Sequence, residues 1–375
     1  MKVCISGGHL TPALAVIDYA QARGTGDTFV FAGRLYSQPK LKQRSWEKQE
    51  VSKRGVTFVP FSAPKLDGQP WWHLPVVGLK MLRAVWRAYA LLGKHKPDVF
   101  LSFGGFLAVP LAIAARLRGI PVVTHEQTRV VGVANAWVGK LSHTVAISFP
   151  ESKQFFPSHN VQLTGNPLRT QLLNTSAKKP SWLPDTLPSK PLLYVTGGNQ
   201  GSQCINVLVQ EGLEALLTDW WVIHQCGSPT TVMNYKKSLE KAQSRLPSAL
   251  KSDYIIREWV TEEELGWIYA HADGALSRSG ANTVTEFMAV GLPAVFIPLP
   301  QAHQDEQLLN AQAMADSHAA MILLQKDASV STLLETLRQL KRKLRSYGRQ
   351  AKELKDSLPA NPTEQLYQIM QQTQK

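Results

Sequence analysis

The sequence predicts an α/β protein of two doubly wound domains facing each other across a cleft. Three observations carry that reading. Apolar strands repeatedly run into glycine turns and helical segments, the pattern resumes in the second half after a break, and 375 residues are too many for one ordinary core. In the first half, Lys2 to Ile5 precedes Ser6-Gly7-Gly8-His9, Thr28 to Ala32 precedes Gly33-Arg34, and Val99 to Ser102 precedes Gly104-Gly105. Pro121 to Thr124 then leads into His125-Glu126-Gln127-Thr128. Such alternation makes a parallel sheet, and ligands gather at the carboxyl ends of its strands, where all four turns would lie.

The break falls at Leu163 to Arg169 and in the Lys-, Pro- and Ser-rich stretch Ala177 to Pro191, which reads as a loop or linker. Beyond it, Leu192 to Thr196 precedes Gly197-Gly198-Asn199-Gln200-Gly201, followed by strands at Trp221 to His224, Tyr254 to Ile256 and on either side of Ser279-Gly280-Ala281. Leu333, Leu334, Leu337, Leu340 and Leu344 recur at helical spacing and predict closing helices.

Composition narrows the function. Hydrophobic residues at 44% and charged residues at 18% describe a folded globular chain. A formal charge of +13 implies an anionic partner, whether nucleic acid, a lipid headgroup surface or a phosphorylated substrate. No nucleic-acid-binding module is recognisable. Cys4, Cys204 and Cys226 lack metal-ligand spacing, so no metal site is implied. The N-terminal segment has neither the apolar core nor the cleavage site of a signal peptide, and no apolar run reaches the length of a membrane span, so a cytosolic protein is expected.

One segment departs from the βα pattern. Gly68 to Pro97 has no acidic residue, and Lys80, Arg83, Arg87, Lys94 and Lys96 accompany Trp71, Trp72 and Trp86. On a helical wheel Leu79, Leu82, Val85, Trp86, Tyr89 and Leu92 share an apolar face with Lys80, Arg83 and Arg87 beside it. This suits a helix lying on an anionic membrane, and it equally suits an amphipathic helix packed on the sheet with a solvated basic edge.

The candidate chemistry sits in the turns. Ser279-Gly280-Ala281 opens directly into a helix, whose free N–H groups and dipole favour an anion such as a diphosphate. Glu286, about two turns along that helix, can accept from a ribose diol. The 196–202 loop offers a second nest of N–H groups, although one glycine loop alone is weak evidence. His9 at a helix entrance can take a proton from a hydroxyl near neutral pH, or be structural. Of His125 and Glu126, adjacent on an extended chain, one is expected to face the cleft while the other fixes the loop. Asn135 caps, packs or binds. The polar start of a helix near Asp305, Glu306 and Gln307 suits sugar hydroxyls or simply solvates the helix.

The collinear order of GGHLTPALAV, SFGGFLAVP, GIPVVTHEQ, LTGNPLRT, VTGGNQGS, REWV, SRSGANTVTE and the QxxNA of Gln307 to Ala311 resembles the MurG glycosyltransferases of family 28, from residue 1 to about 325. The resemblance implies a GT-B fold of two Rossmann-like domains. It implies an acceptor and membrane-binding domain at 1–166 joined by a C-terminal helix at 358–375, and a UDP-sugar-binding domain at 167–357. The implied activity is inverting transfer of N-acetylglucosamine from UDP-GlcNAc to lipid-linked N-acetylmuramoyl pentapeptide, with no cofactor, at the cytoplasmic face of the plasma membrane. By the same resemblance, Ser279, Gly280, Ala281, Asn282, Thr283, Val284 and Thr285 belong to the donor signature, with Ala281 to Thr283 near the diphosphate and Glu286 on the uridine ribose. Trp259 and Val260 match the position that covers uracil and bonds it through the backbone, Asn199 and Arg169 match the glycine loop and GNPxR positions, and Gln307 contacts the donor sugar. His9 matches the histidine considered as general base, or as a group near the acceptor and donor phosphates. Ser6, Gly7, Gly8, Gly104, Gly105, His125, Gln127, Thr128 and Asn135 fall on the acceptor side, and Trp71, Trp72, Leu79, Lys80, Leu82, Arg83, Trp86 and Arg87 at the membrane.

Three departures stand out. The first loop is shortened to SGGH, Thr128 replaces a usual asparagine, and Glu306 stands where an amide or histidine is common. No Asp-x-Asp pair is present to hold a metal at the diphosphate. A UDP-sugar 2-epimerase, a glycolipid synthase and a non-catalytic membrane scaffold are the alternatives. The epimerase has no need of the basic aromatic segment, and a scaffold has no chemical reason to hold the donor signature.

Overall fold

Runs such as Val3-Cys4-Ile5 and Val99-Phe100-Leu101 carry no polar alternation, and they form strands buried on both faces, as helix-covered parallel sheets require. The computed structural model describes residues 1–38, 43–64, 74–156, 160–173, 177–198, 201–229, 233–300 and 305–374. The chain divides into two compact units, Met1–Arg169 with Pro359–Lys375, and Thr170–Leu358.

In unit 1 seven parallel strands lie in the order Thr57–Pro60, Thr28–Gly33, Lys2–Ser6, Val99–Ser102, Val122–Glu126, Thr144–Ile147, Val161–Leu163. In unit 2 six parallel strands lie in the order Tyr254–Arg257, Trp221–Gln225, Leu192–Thr196, Gly274–Ser277, Ala294–Phe296, Ala320–Ile322. Each sheet grows outward from its first strand in both directions, so strand order reverses once per sheet. The reversal falls between Lys2–Ser6 and Val99–Ser102 in unit 1 and between Leu192–Thr196 and Gly274–Ser277 in unit 2. Loops leaving the carboxyl ends of these pairs diverge to opposite faces and open a crevice for ligand.

The Leu10–Ala22 helix packs Leu14 and Ile17 against one face of the first sheet, and the C-terminal helix Pro362–Thr373 adds Leu366 and Met370 to the same core. The closing helices Val330–Arg342 and Leu344–Ser357 belong to unit 2, where Leu333, Leu337 and Leu340 join its core.

Of the two alternatives for the stretch 177–191, loop or linker, the structure has the loop, without helix or strand and fastened to unit 2. Leu183 is buried, Lys190 Nζ donates to Leu217 O at 2.6 Å and pairs with Asp253 at 2.7 Å, and Trp182 bonds Glu264. The apolar face of the Leu74–His95 helix divides. Leu92 packs inward with Ala84, Ala88 and Leu91, so small residues let the helix sit close to the sheet. Val76, Leu79, Leu82, Trp86 and Tyr89 are left outward, with Leu82 68% and Trp86 72% exposed, and Lys80, Arg83 and Arg87 are exposed beside them. Trp71 and Trp72 lie outside the described residues.

Candidate active site

At the switch point of unit 1 the two glycine turns touch. A Cβ on Gly8 would stand 2.4 Å from the Gly104 carbonyl oxygen, and one on Gly105 would stand 3.2 Å from the Gly8 Cα, so only glycine fits this contact. Gly104 and Gly105 both take positive φ, which removes any Cβ penalty there. Ser102 Oγ accepts from Gly104 N at 3.1 Å, and Gly7 N donates to Ala32 O at 2.8 Å, fixing both turns to the sheet. His9 is the N-cap of the Leu10–Ala22 helix and makes no side-chain cap bond. Its half-buried ring is desolvated, which lowers its pKa below the ordinary histidine value and keeps it neutral, the form a base needs. Ser6 Oγ is buried with no hydrogen-bond partner among the described residues.

Behind these turns lies a polar network denser than the sequence suggested. The Val122–Glu126 strand runs through both His125 and Glu126, because they pair with Ala146 and Ile147 of the next strand. Both side chains are buried, and Glu126 holds the loop that follows through its bonds to Thr128. His125 Nε2 donates to Gly165 O at 2.9 Å and its Nδ1 accepts from Gln127 Nε2 at 3.0 Å. Burial pushes His125 down to about 4, opposed by the Gly165 bond and reinforced by the nearby His9, so its ring is neutral. Glu126 accepts from Thr128 N at 3.1 Å and Asn135 Nδ2 at 2.9 Å, and burial raises its pKa against these bonds. Thr128 Oγ1 is 2.8 Å from Glu126 Oε1, and Asn135 accepts from Thr124 Oγ1 at 2.7 Å. Asn135 also lies beneath Gly104, where a Cβ would come 3.4 Å from its side chain. His125, Gln127, Thr128 and Asn135 thus shape the turn from below.

Sequence reading missed Glu47. It enters from the Trp46–Lys53 helix, accepts from Arg34 N at 3.0 Å, and crowds Gly7 so closely that a Cβ would stand 3.1 Å from its oxygen. Its pKa is raised by burial against the Arg34 contacts. No motif spacing marks it, because it reaches the turn from a different βα unit.

In unit 2, Gly280 caps the Ala281–Val290 helix with no side-chain bond and no acidic residue in the first turn, and a Cβ there would meet nothing within 4 Å. The helix therefore presents uncapped N–H groups to open space. Ser277 Oγ, Ser279 Oγ, Asn282 Oδ1 and Asn310 Oδ1 are buried there without partners among the described residues. Each unspent group costs about 1–3 kcal/mol unless a partner satisfies it, so this cluster, with Asn310 joined to the turn by Nδ2 donating to Ser279 O at 3.3 Å, is a candidate ligand site. Thr283 is half-buried at the same end. Val284 and Thr285 turn into the core, Thr285 Oγ1 donating to Ala281 O at 2.8 Å. Glu286 Oε2 accepts from Tyr269 OH at 2.8 Å, which orients the carboxylate.

Arg278, quoted in the sequence signature without a role of its own, ties the edge together. Its Nε donates to Ser202 Oγ at 2.9 Å, NH1 to Ile297 O at 2.9 Å and Pro298 O at 3.1 Å, and NH2 to Gln325 Oε1 at 2.7 Å. Ser202 caps the Gln203–Glu211 helix after the 196–202 loop, so one guanidinium joins both turns of the switch point. A Cβ on Gly201 would stand 2.2 Å from Cys226 O, so this loop also needs glycine. Asn199 lies outside the described residues. Trp259 is half-buried and Val260 buried after the edge strand, Gln307 Oε1 accepts from Leu299 N at 3.1 Å, and Glu306 begins its helix half-buried. Arg169 is the last residue of unit 1's first segment.

Two Rossmann-like units in one chain, each with an uncapped helix N-terminus at its switch point, define the GT-B class of glycosyltransferases. The sequence matches the glycosyltransferase family 28 N-terminal domain over residues 3–147 and the family 28 C-terminal domain over 192–372, and the chain belongs to that family. It is 30% identical over 343 residues to the UDP-N-acetylglucosamine–N-acetylmuramyl-(pentapeptide) pyrophosphoryl-undecaprenol N-acetylglucosamine transferase of Clostridium perfringens, covering 91% of this chain and 89% of that protein. It is 34% identical to the protein of the same name from Mannheimia succiniciproducens, covering 90% and 88%. The crystal structure of Acinetobacter baumannii MurG superposes with a TM-score of 0.74 at 26% identity over 99% of both chains.

Proposed function

We propose that this chain transfers N-acetylglucosamine from UDP-GlcNAc to the C4 hydroxyl of lipid-linked N-acetylmuramoyl pentapeptide, converting lipid I to lipid II in peptidoglycan synthesis. The observation that carries the reading is the cluster of unspent polar groups and free N–H groups at Ser277–Asn282, in a chain whose relatives at 30% and 34% identity are named for an N-acetylglucosamine transfer to N-acetylmuramyl-(pentapeptide) pyrophosphoryl-undecaprenol.

In this reading UDP binds unit 2. The diphosphate lies on the N–H groups of Gly280 to Thr283 and the Ser279 hydroxyl, the ribose on Glu286, the uracil against Trp259 and Val260, and the sugar by Gln307 and Glu306. The acceptor diphosphate lies on the Gly7–Gly8 and Gly104–Gly105 turns of unit 1. His9 takes the proton from the acceptor hydroxyl, which attacks the anomeric carbon opposite UDP and inverts it. Helix-terminal N–H groups and the Arg278 charge stabilise the leaving diphosphate. Purified full-length protein with UDP-GlcNAc and a short-chain lipid I analogue is expected to release UDP and form the disaccharide lipid. Transfer to a different lipid, with none to this analogue, refutes the acceptor assignment.

The reading includes peripheral attachment to the inner membrane. All of the net charge lies in unit 1, which has 22 Lys and Arg against 9 Asp and Glu, whereas unit 2 has 19 of each. Among the described residues no helix is long and apolar enough to cross a membrane. The outward Leu79, Leu82 and Trp86 with Lys80, Arg83 and Arg87 instead suit the interface of anionic lipid. The double variant Leu82→Asp, Trp86→Asp is expected to weaken sedimentation with phosphatidylglycerol vesicles on the order of 100-fold, from lost apolar burial, with Tm unchanged because both side chains are exposed. Unchanged vesicle binding would remove this helix from the membrane contact.

A further inference from the structure

We propose that Trp182, in the loop between the last residues of the break and the first strand of unit 2, is a positioning residue for nucleobase selection in the donor site. The inference rests on the reading of Trp259 and Val260 as the uracil contact.

Three residues, Glu258, Trp259 and Val260, bridge the end of the Tyr254–Arg257 strand and Thr261, the N-cap of the Glu262–His271 helix. Both ends of this bridge are anchored to the fold. Cys226 N donates to Arg257 O at 2.9 Å. Thr261 N donates to Glu264 Oε2 at 2.7 Å, and Glu264 N donates back to Thr261 Oγ1 at 3.3 Å, closing a capping box.

Trp182 reaches both anchors at once. Its Nε1–H donates to Glu264 Oε1 at 2.5 Å, using the carboxylate oxygen that the capping box leaves over. The Arg257 guanidinium carbon lies 4.9 Å from the centre of the indole ring, a cation–π contact. One side chain therefore spans the two ends of the segment that would recognise the base. The loop that carries it is held independently: Leu183 is buried, and Lys179 Nζ donates to Pro184 O at 2.6 Å and Asp185 O at 2.9 Å. Trp182 can be altered without releasing the loop.

Base selection through the backbone requires this rigidity. Uracil presents an N3–H donor beside the O4 acceptor, and cytosine presents an N3 acceptor beside an amino donor. A fixed backbone donor and acceptor match one pattern and leave unpaired groups with the other, whereas a loosened segment adapts to both.

The test is calorimetric titration of full-length wild-type, Trp182→Ala and Trp182→Phe proteins with UDP and with CDP, alongside Tm. The wild type is expected to prefer UDP. Trp182→Ala should raise the UDP Kd on the order of tenfold and shrink the CDP-to-UDP ratio of Kd values by a similar factor. Trp182→Phe keeps a ring under Arg257 but loses the N–H to Glu264, and should fall between them. An alanine variant with wild-type Kd values overturns the proposal, and so does one that weakens both nucleotides equally with the ratio intact, because that is a merely structural loss. A wild type that binds neither nucleotide, or shows no preference, refutes the donor-site reading itself.

Discussion

His9→Ala is expected to lower kcat by roughly 10²–10⁴-fold while leaving UDP affinity unchanged. Loss of UDP affinity is not expected, because His9 belongs to unit 1 and every group assigned to UDP belongs to unit 2. No large loss of stability is expected either, since the side chain makes no cap bond. The pH profile gives a second readout. A base must be neutral, and burial lowers the pKa of His9, so wild-type activity should persist as pH falls below the ordinary histidine range and drop only on passing the lowered value. In His9→Ala that acid limb should disappear from the residual rate. A variant with full transfer activity would remove His9 from the chemistry. Glu47, whose raised pKa and contact with Gly7 place a second titratable group at the same turn, would then be the residue to replace next.

The fold was legible because parallel strands announce themselves as unbroken apolar runs. Val3 to Ile5, Leu192 to Thr196 and Gly274 to Ser277 each end at a glycine or serine turn, and these turns are where strand order reverses. The uncapped helix at Ser279–Ala281 was legible for the same reason, being a local feature of contiguous residues. Contacts between distant segments were not. The strand that carries His125 and Glu126 extends past its apolar run only because Thr144–Ile147 pairs beside it, a partner that spacing cannot reveal. The Leu74–His95 helix looked like one broad apolar stripe, and only packing shows alanines turned inward and Leu82 and Trp86 outward. Trp182 lay in a stretch rich in Lys, Pro and Ser, whose composition hid the bonds that fasten it to Glu264 and Arg257.

Arg278→Ala is expected to cost about 2–4 kcal/mol of stability and to raise the Kd for UDP more than tenfold. The stability loss follows from the partners left behind. Ile297 O, Pro298 O, Gln325 Oε1 and Ser202 Oγ all face the guanidinium, and alanine withdraws every donor at once. The binding loss has a different origin. None of these partners is a carboxylate, so among the described residues the charge of Arg278 is hydrogen-bonded without an ion-pair partner, and burial lowers its pKa. A diphosphate on the adjoining Gly280–Thr283 N–H groups supplies the missing negative charge, which makes ligand binding and this cation mutually stabilising. Arg278→Lys separates the two effects. Lysine retains the charge but cannot span four partners with a planar fork, so it should recover part of the UDP affinity and little of the stability. Denaturant unfolding of the free protein and UDP titration read the two quantities separately. If lysine instead restored stability and left UDP binding as weak as in the alanine variant, the guanidinium geometry, and not its charge, would be what the diphosphate needs.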